Sequence, residues 1–107
     1  MPRKLDYTDE AIDDLEAIRR WLTQPGAGAA ARRRLRAIRA AINRLRRQPC
    51  LHGFGEHAGV RELPCEGGYQ ALYEVHPDTS RSETAGDVLV LRVFGPGQSR
   101  DRLRLHF

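Results

Sequence analysis

Arginine is the residue type in this sequence whose placement could do chemistry. Arg61 and Arg92 lie inside segments that have the character of β-strands, and Arg100 follows the last such segment. A guanidinium group within a strand needs an acidic partner or an open sheet face, because burying an unpaired charge is costly. Two interpretations follow: ion pairs with Glu62 or Glu74 across the sheet, or a basic patch on an uncovered sheet face that binds nucleic acid or an acidic partner. For Arg100, in a polar tail, we favour binding.

A second group of arginines is concentrated in the middle of the chain. Residues 25–55 contain eight arginines and no acidic residue, whereas the whole chain carries a net charge of +4 from 18 basic and 14 acidic residues. Arginine binds phosphate and carboxylate through two parallel hydrogen bonds, which lysine cannot do. The block is therefore a candidate surface for a polyanion or an acidic partner, with Arg33, Arg36 and Arg39 as candidate contacts. A solvated helix face is the alternative.

Tyrosine, histidine and cysteine offer fewer possibilities. Tyr69 and Tyr73 could stack on bases, but we favour a place in the core. His106 could supply an acid or a base for phosphodiester cleavage beside Arg100 or Arg92. Two histidines and both cysteines lack the close cysteine pair of structural zinc sites: His52, His57, Cys50 and Cys65. We expect no metal, no cofactor and two reduced thiols.

Two helices are predicted to position the arginine block. Thr8 is a suitable N-cap for a first helix, whose apolar stripe consists of Ile12, Leu15, Ile18 and Leu22, with Trp21 in the core or at a helix–sheet contact. A second helix is predicted for residues 29–48, between a Gly/Pro loop and Pro49. Its stripe of Ala31, Leu35, Ile38, Ile42 and Leu45 lies opposite most of the arginines. The two stripes should pack as an antiparallel hairpin.

Strands are predicted before and after this hairpin. Residues 4–7 form a short first strand, and residues 60–65, 69–75 and 88–94 form three more. Glu66, Gly67 and Gly68 indicate a tight turn, and residues 76–87 a long polar loop that we expect to be mobile.

Helices followed by a run of strands indicate one α+β domain over residues 1–107, a strand and helical hairpin followed by a three-stranded antiparallel meander. The helices cover one face of the sheet, and few residues remain to cover the other.

The order of these elements, with certain residues in it, resembles the RelE/ParE superfamily of bacterial toxins from type II toxin–antitoxin systems. The residues that carry the resemblance are Tyr7-Thr8-Asp9-Glu10-Ala11, Asp14-Leu15, Arg61-Glu62-Leu63, Gly67-Gly68-Tyr69 with Tyr73, Leu91-Arg92-Val93, and Arg100. The resemblance covers nearly the whole chain. It implies the RelE/ParE-like fold and a cognate antitoxin encoded by the neighbouring gene, with which the toxin could form a hetero-oligomer.

The two branches of this superfamily differ in target. The RelE branch resembles a ribosome-dependent mRNA endoribonuclease with lysines, an arginine after the Gly-Tyr motif and a C-terminal tyrosine. This chain has Lys4 as its only lysine, Gln70 after Tyr69, and Leu103 near the position of that tyrosine. It is closer to the ParE branch, which is associated with inhibition of DNA gyrase. We expect a binding inhibitor of gyrase; the alternatives are the RelE-type ribonuclease acting on ribosome and mRNA, and a non-toxic basic module that binds nucleic acid.

Nothing in the sequence suggests a membrane partner. The first residues lead directly into charged sequence without the apolar core of a signal peptide, and the apolar runs are far too short to span a bilayer. We therefore expect a cytoplasmic location.

Overall fold

Two helices pack on one face of a four-stranded mixed sheet, so the predicted α+β class is confirmed. A computed structural model describes residues 3–96 of the chain. The elements are β1 (Leu5–Tyr7), α1 (Asp9–Leu22), α2 (Gly28–Asn43), β2 (Arg61–Pro64), β3 (Gln70–His76) and β4 (Asp87–Phe94), with short 3-10 turns at Arg44–Arg46 and Glu66–Gly68. No helix among these residues is long and apolar enough to cross a bilayer.

The strand order in the sheet is β1-β4-β3-β2. The last three strands form the predicted antiparallel meander, and β1 adds to it in parallel with β4, with Leu5 opposite Val88. The apolar β4 is therefore a central strand, as its composition indicates. Between β3 and β4 the register shifts, so that Leu72 is opposite Arg92 and Tyr73 opposite Val90. Leu91 is the extra residue of a β-bulge, which bends the strand close to Arg92.

Both helices begin and end close to the predicted positions. The Thr8 side chain caps α1 by accepting a hydrogen bond from the Ala11 amide at 3.0 Å. In α2 the regular α-helix ends at Asn43, earlier than predicted, and the turn Arg44–Arg46 continues it with tighter 3-10 geometry. Such a turn is a common way to satisfy the last carbonyl groups of a helix.

The apolar stripe of α2 is confirmed, and that of α1 is confirmed at Leu15, Ile18 and Leu22 but not at Ile12. Leu35, Ile38 and Ile42 are buried in the cluster that joins the helices to the sheet. In α1 the buried residues are Ala11, Ile18 and Leu22. Two side chains that we expected on or beside the stripe are exposed, Ile12 to 52% and Trp21 to 64%. The predictions for these two are wrong because the buried arc of α1 is narrower than its apolar sequence pattern.

The opposite face of the sheet carries a smaller apolar cluster. Val60, Leu72, Leu91 and Phe94 form it, with Leu89 packed against them. Leu72 is fully buried and Phe94 is 3% exposed. We expected little cover on this face, and the structure instead buries its central side chains.

The long loop between β3 and β4, which we expected to be mobile, is extensively hydrogen-bonded to the rest of the domain. Arg3 donates hydrogen bonds to three of its carbonyl groups, those of Ser82 at 2.7 Å, Ala85 at 3.0 Å and Gly86 at 2.8 Å. Asp78 in the same loop forms an ion pair with Arg61. The loop is polar because its partners are backbone and charged groups, and these partners hold it against the domain.

Candidate partner-binding surfaces

Arg61 is almost completely buried, with 4% exposure. Its Nε and Nη2 donate to the two carboxylate oxygens of Asp78 at 2.8 and 2.9 Å, and its Nη1 donates to the carbonyl of His52 at 2.8 Å. Arg61 is opposite Tyr73 in the β2–β3 register, so it lies on the face that the helices cover. The expected place on an uncovered face is therefore wrong, and so are the expected partners Glu62 and Glu74.

The surroundings of Arg61 make it a structural residue. Its guanidinium lies 4.1 Å from the ring centroid of Phe54, which adds a cation–π contact. The hydrogen bonds from Arg61 lower the pKa of Asp78 below its ordinary value, and they raise the pKa of Arg61. One guanidinium thus ties together β2, the segment before it and the β3–β4 loop. Its donors are used within the fold.

Arg92 likewise forms a hydrogen-bonded ion pair with a carboxylate, that of Asp14 in α1. Its Nε and Nη2 donate to the carboxylate of Asp14 at 2.7 and 3.0 Å, and the backbone amide of Val93 donates to Asp14 at 2.9 Å. The side chains of Arg92 and Asp14 are 17% and 16% exposed. Hydrogen bonding to Asp14 raises the pKa of Arg92. The pair joins α1 to the bulged part of β4, and it was not foreseen from the sequence.

The tyrosines of the Gly-Tyr segment belong to the core, as predicted. Tyr73 is fully buried, and its hydroxyl donates to the carbonyl of Pro49 at 2.7 Å. Burial raises the pKa of Tyr73 well above its ordinary value, so the phenol is a poor proton donor at neutral pH. Tyr69 is 4% exposed. Neither ring is available as a platform for stacking bases.

The arginines of α2 differ from Arg61 and Arg92 in being exposed, apart from the half-buried Arg34. Arg33, Arg36 and Arg39 are on the solvent side of the helix. Within residues 3–96, none of the arginines in the block 25–55 forms an ion pair with a carboxylate. The structure therefore presents a face of α2 whose positive charge has no counterpart in the described part of the chain. We call Arg33, Arg36 and Arg39 the arginine face.

A cleft of about 420 Å³ lies between α1 and the end of β4. Its lining is mostly apolar and consists of Asp14, Ala17, Ile18, Trp21, Tyr69, Val93, Gly95 and Pro96. The indole of Trp21 forms an exposed wall. Sequence reasoning missed this cleft, although Asp14, Ala17 and Trp21 follow one another along one line of the helix surface, which is a signal that could have indicated it.

The remaining candidates form no reaction centre in the described chain. Arg100 and His106 lie outside residues 3–96. Among those residues, no group of three or more histidine, cysteine or acidic side chains is placed to hold a metal ion. Cys50 and Cys65 are free, and burial raises the pKa of Cys65 to about 11, which keeps it a thiol at neutral pH.

The fold and its comparisons with known proteins place the chain in a family. The architecture is RelE/ParE-like, and it is similar to a solved structure described as the chromosomal ParDE TA system from P. aeruginosa, with a TM-score of 0.64, 22% sequence identity, and coverage of 85% of this chain and 92% of that chain. A family model described as the ParE toxin of the type II toxin-antitoxin system, parDE, matches residues 5–99. The chain therefore belongs to the ParE toxin family. A search of curated proteins found no match.

Proposed function

We propose that this ParE-family toxin arrests growth in the cytoplasm by binding and inhibiting DNA gyrase, and that a cognate antitoxin from the neighbouring gene neutralises it. Family membership supports the toxin role. The observation that carries the binding mode is the arginine face, which is exposed and has no carboxylate partner within residues 3–96. A surface of this kind is suited to an acidic protein segment or to a complex of protein and DNA.

The antitoxin should use both the arginine face and the cleft at Trp21. Carboxylates of an acidic antitoxin segment would neutralise Arg33, Arg36 and Arg39, and an apolar side chain of the same segment would fill the cleft. Charge complementarity favours an acidic partner, and the exposed indole offers the large apolar contact that typically contributes most to affinity. This division predicts two separable effects on binding, one dependent on salt and one not.

The two effects can be measured by titration calorimetry of the purified toxin with the product of the neighbouring gene. Trp21→Ala should weaken binding about 30-fold, the factor that corresponds to a loss of about 2 kcal/mol. The double variant Arg33→Ala/Arg36→Ala should weaken it at low salt and have less effect at high salt, because screening already reduces the contribution of exposed charges. The matched control is Lys4→Ala/Arg20→Ala, which removes two other exposed charges. Equal effects of the two double variants would contradict a specific role of the arginine face.

Inhibition of gyrase is tested by a supercoiling assay with purified gyrase and relaxed plasmid. The toxin should block supercoiling, and toxin that has first been mixed with the antitoxin should not block it. The variant Arg33→Ala/Arg36→Ala should inhibit less than Lys4→Ala/Arg20→Ala at equal concentration. Unimpaired supercoiling at a toxin concentration that arrests growth would exclude gyrase as the target.

A further inference from the structure

A polar cavity of about 550 Å³ lies between the end of α2 and the β3–β4 loop, and its lining includes no residue of the arginine face or of the cleft at Trp21. One wall comes from the segment after α2 and the other from the loop. The lining residues are Arg47, Gln48, Cys50, Leu51, Ser80, Arg81, Ser82 and Glu83. Two arginines and two serines therefore face a common space, although they are distant in the sequence.

The loop wall of this cavity is fixed by contacts behind it. Arg3 holds the carbonyl of Ser82, and Asp78, itself paired with Arg61, accepts a hydrogen bond from the Ser80 amide at 2.9 Å. Ser80 has a φ of 61°, in the left-handed region that non-glycine residues rarely adopt. A residue remains in that conformation only when its surroundings determine it. The positions of Ser80, Arg81 and Ser82 are thus set before any ligand arrives.

Two serine hydroxyl groups in the cavity have hydrogens that no acceptor within residues 3–96 takes up. The Ser82 hydroxyl oxygen accepts from the Cys50 amide at 3.2 Å, and the Ser80 hydroxyl oxygen accepts from Arg61 at 3.4 Å. Neither hydroxyl donates to an acceptor in the described part of the chain, so both hydrogens remain available. These two donors, whose backbone positions are fixed by the fold, suit a ligand that supplies oxygen acceptors.

The charge around the cavity is positive. Arg47 is exposed and forms no ion pair within residues 3–96. Arg81 lies 3.7 Å from Glu83, but both side chains are about three-quarters exposed, at 77% and 74%. Such a pair contributes little and exchanges readily for a stronger acceptor. Behind the wall, Arg3 is bound to carbonyl groups and to no carboxylate among the described residues.

We propose that this cavity binds the phosphate group of a phosphate ester. Arg47 on one wall, with Arg81 and two serine hydroxyl groups on the other, matches an anion with several oxygens arranged tetrahedrally, and arginine is well suited to phosphate. Leu51, 64% exposed, lines the same space and offers an apolar surface to the organic part of the ester. The site uses none of the residues assigned to antitoxin binding, so it stands apart from the proposed function.

The test is a titration of the full-length, isotope-labelled protein followed by amide NMR signals. The probes are inorganic phosphate, adenosine monophosphate and a short single-stranded oligonucleotide without a terminal phosphate. We expect saturable shifts at the amides of residues 80–82 and of Arg47. Saturation by adenosine monophosphate identifies a free phosphate ester as the ligand, whereas saturation by the oligonucleotide alone identifies a nucleic-acid backbone.

Variants decide whether the cavity or general positive charge is responsible. Arg47→Ala/Arg81→Ala should weaken binding at least about tenfold, since it removes both charged donors. Ser82→Ala, which removes one neutral donor, should weaken it less. The control Lys4→Ala/Arg20→Ala, which removes two exposed charges that line neither the cavity nor the arginine face, should leave the affinity unchanged. The proposal is overturned if no probe gives saturable shifts at these amides, or if the Lys4/Arg20 control weakens binding as much as the Arg47/Arg81 variant. The assay uses neither gyrase nor antitoxin, so its outcome is independent of the toxin's target.

Discussion

At the residue scale, the ion pair of Arg61 with Asp78 is the one that we expect to contribute most to the free energy of unfolding. Its side chains are 4% and 18% exposed, so removal of one partner leaves the other charge with little water. Breaking a buried pair in this way typically costs about 3 kcal/mol or more. We expect Arg61→Met to lower the free energy of unfolding by about 3 kcal/mol, measured by urea denaturation. Arg20→Ala, an exposed control, should stay within about 0.5 kcal/mol.

The same pair gives the stability a defined pH dependence. Hydrogen bonding from Arg61 lowers the pKa of Asp78 in the folded protein, whereas in the unfolded chain that pKa is about 3.9. The contribution is therefore complete above about pH 4 and is lost as the pH falls below this value, because the unfolded state takes up the proton first. The free energy of unfolding of Asp78→Asn should fall less steeply over this range than that of the wild type.

A suitable comparison is the pair of Glu16 with Arg19. Hydrogen bonding to Arg19 also lowers the pKa of Glu16, but this pair is on the surface, with the side chain of Glu16 49% exposed and that of Arg19 43% exposed. Solvent screens such pairs strongly. Glu16→Gln should therefore leave the acid slope of stability nearly unchanged. A larger effect for Glu16→Gln than for Asp78→Asn would contradict the importance assigned to burial.

The ion pairs of the two strand arginines, Arg61 with Asp78 and Arg92 with Asp14, show what the sequence could indicate about single residues. An arginine inside a strand was recognised as needing a partner, because that requirement follows from burial alone. The identity of the partner was not recognisable: Asp14 is 78 residues from Arg92, and Asp78 lies in a loop that has no periodic pattern. Tertiary packing brings these carboxylates to the arginines, and local patterns carry no record of it.

At the element scale, α2 is an amphipathic helix whose two sides should differ sharply in their contribution to stability. Ile38 is fully buried between the helices and the sheet, and Arg33 is on the solvent side. Ile38→Ala should lower the free energy of unfolding by about 2–5 kcal/mol through lost burial and the cavity that remains. Arg33→Ala should change it by no more than about 0.5 kcal/mol. Denaturant unfolding of the two variants measures both values, and equal costs would show that the assigned face is wrong.

The elements themselves were largely predictable, and the exceptions have a common cause. The helices and the three-stranded meander follow from periodicity and turn residues, which are local. Trp21 and Ile12 could not be placed, because a helix projection shows which residues are apolar but not how wide an arc its neighbours cover. Because Trp21 lies outside the buried arc of α1, its exposed indole forms a wall of the cleft. The parallel pairing of the short strand β1 with β4 is likewise set by the whole fold.

At the scale of the whole molecule, the distribution of charge separates structure from binding. Arginines in the sheet are paired with carboxylates and hold elements together, whereas those of the arginine face and of the loop cavity face solvent. Membership of the ParE toxin family implies a cognate antitoxin, and the arginine face together with the cleft at Trp21 is the surface that we propose it binds. Arginine content alone would not have separated the paired arginines of the sheet from the exposed ones.

Cleavage of mRNA on the ribosome is the activity that would require more than binding. It needs a proton acceptor, a proton donor and a cation at the scissile phosphate, all within hydrogen-bond reach. Among residues 3–96, Arg61 and Arg92 are held by Asp78 and Asp14. The buried hydroxyl of Tyr73 donates to a carbonyl group. We therefore expect no ribosome-dependent cleavage by the purified toxin, in agreement with Gln70 and Leu103 at positions where the ribonuclease branch has an arginine and a tyrosine.

In vitro translation with primer extension tests this expectation, with the wild type beside His106→Ala and Arg100→Ala. Both substituted residues lie outside the described residues, and His106 is the side chain that could supply a missing acid or base. A wild type that leaves the mRNA intact while it blocks supercoiling fits a binding inhibitor, and Arg100→Ala should then weaken target binding without changing a chemical step. Clean cuts at codon positions that disappear in His106→Ala would instead assign the protein to ribonuclease chemistry, because a histidine can transfer a proton and a surface used only for binding does not need to.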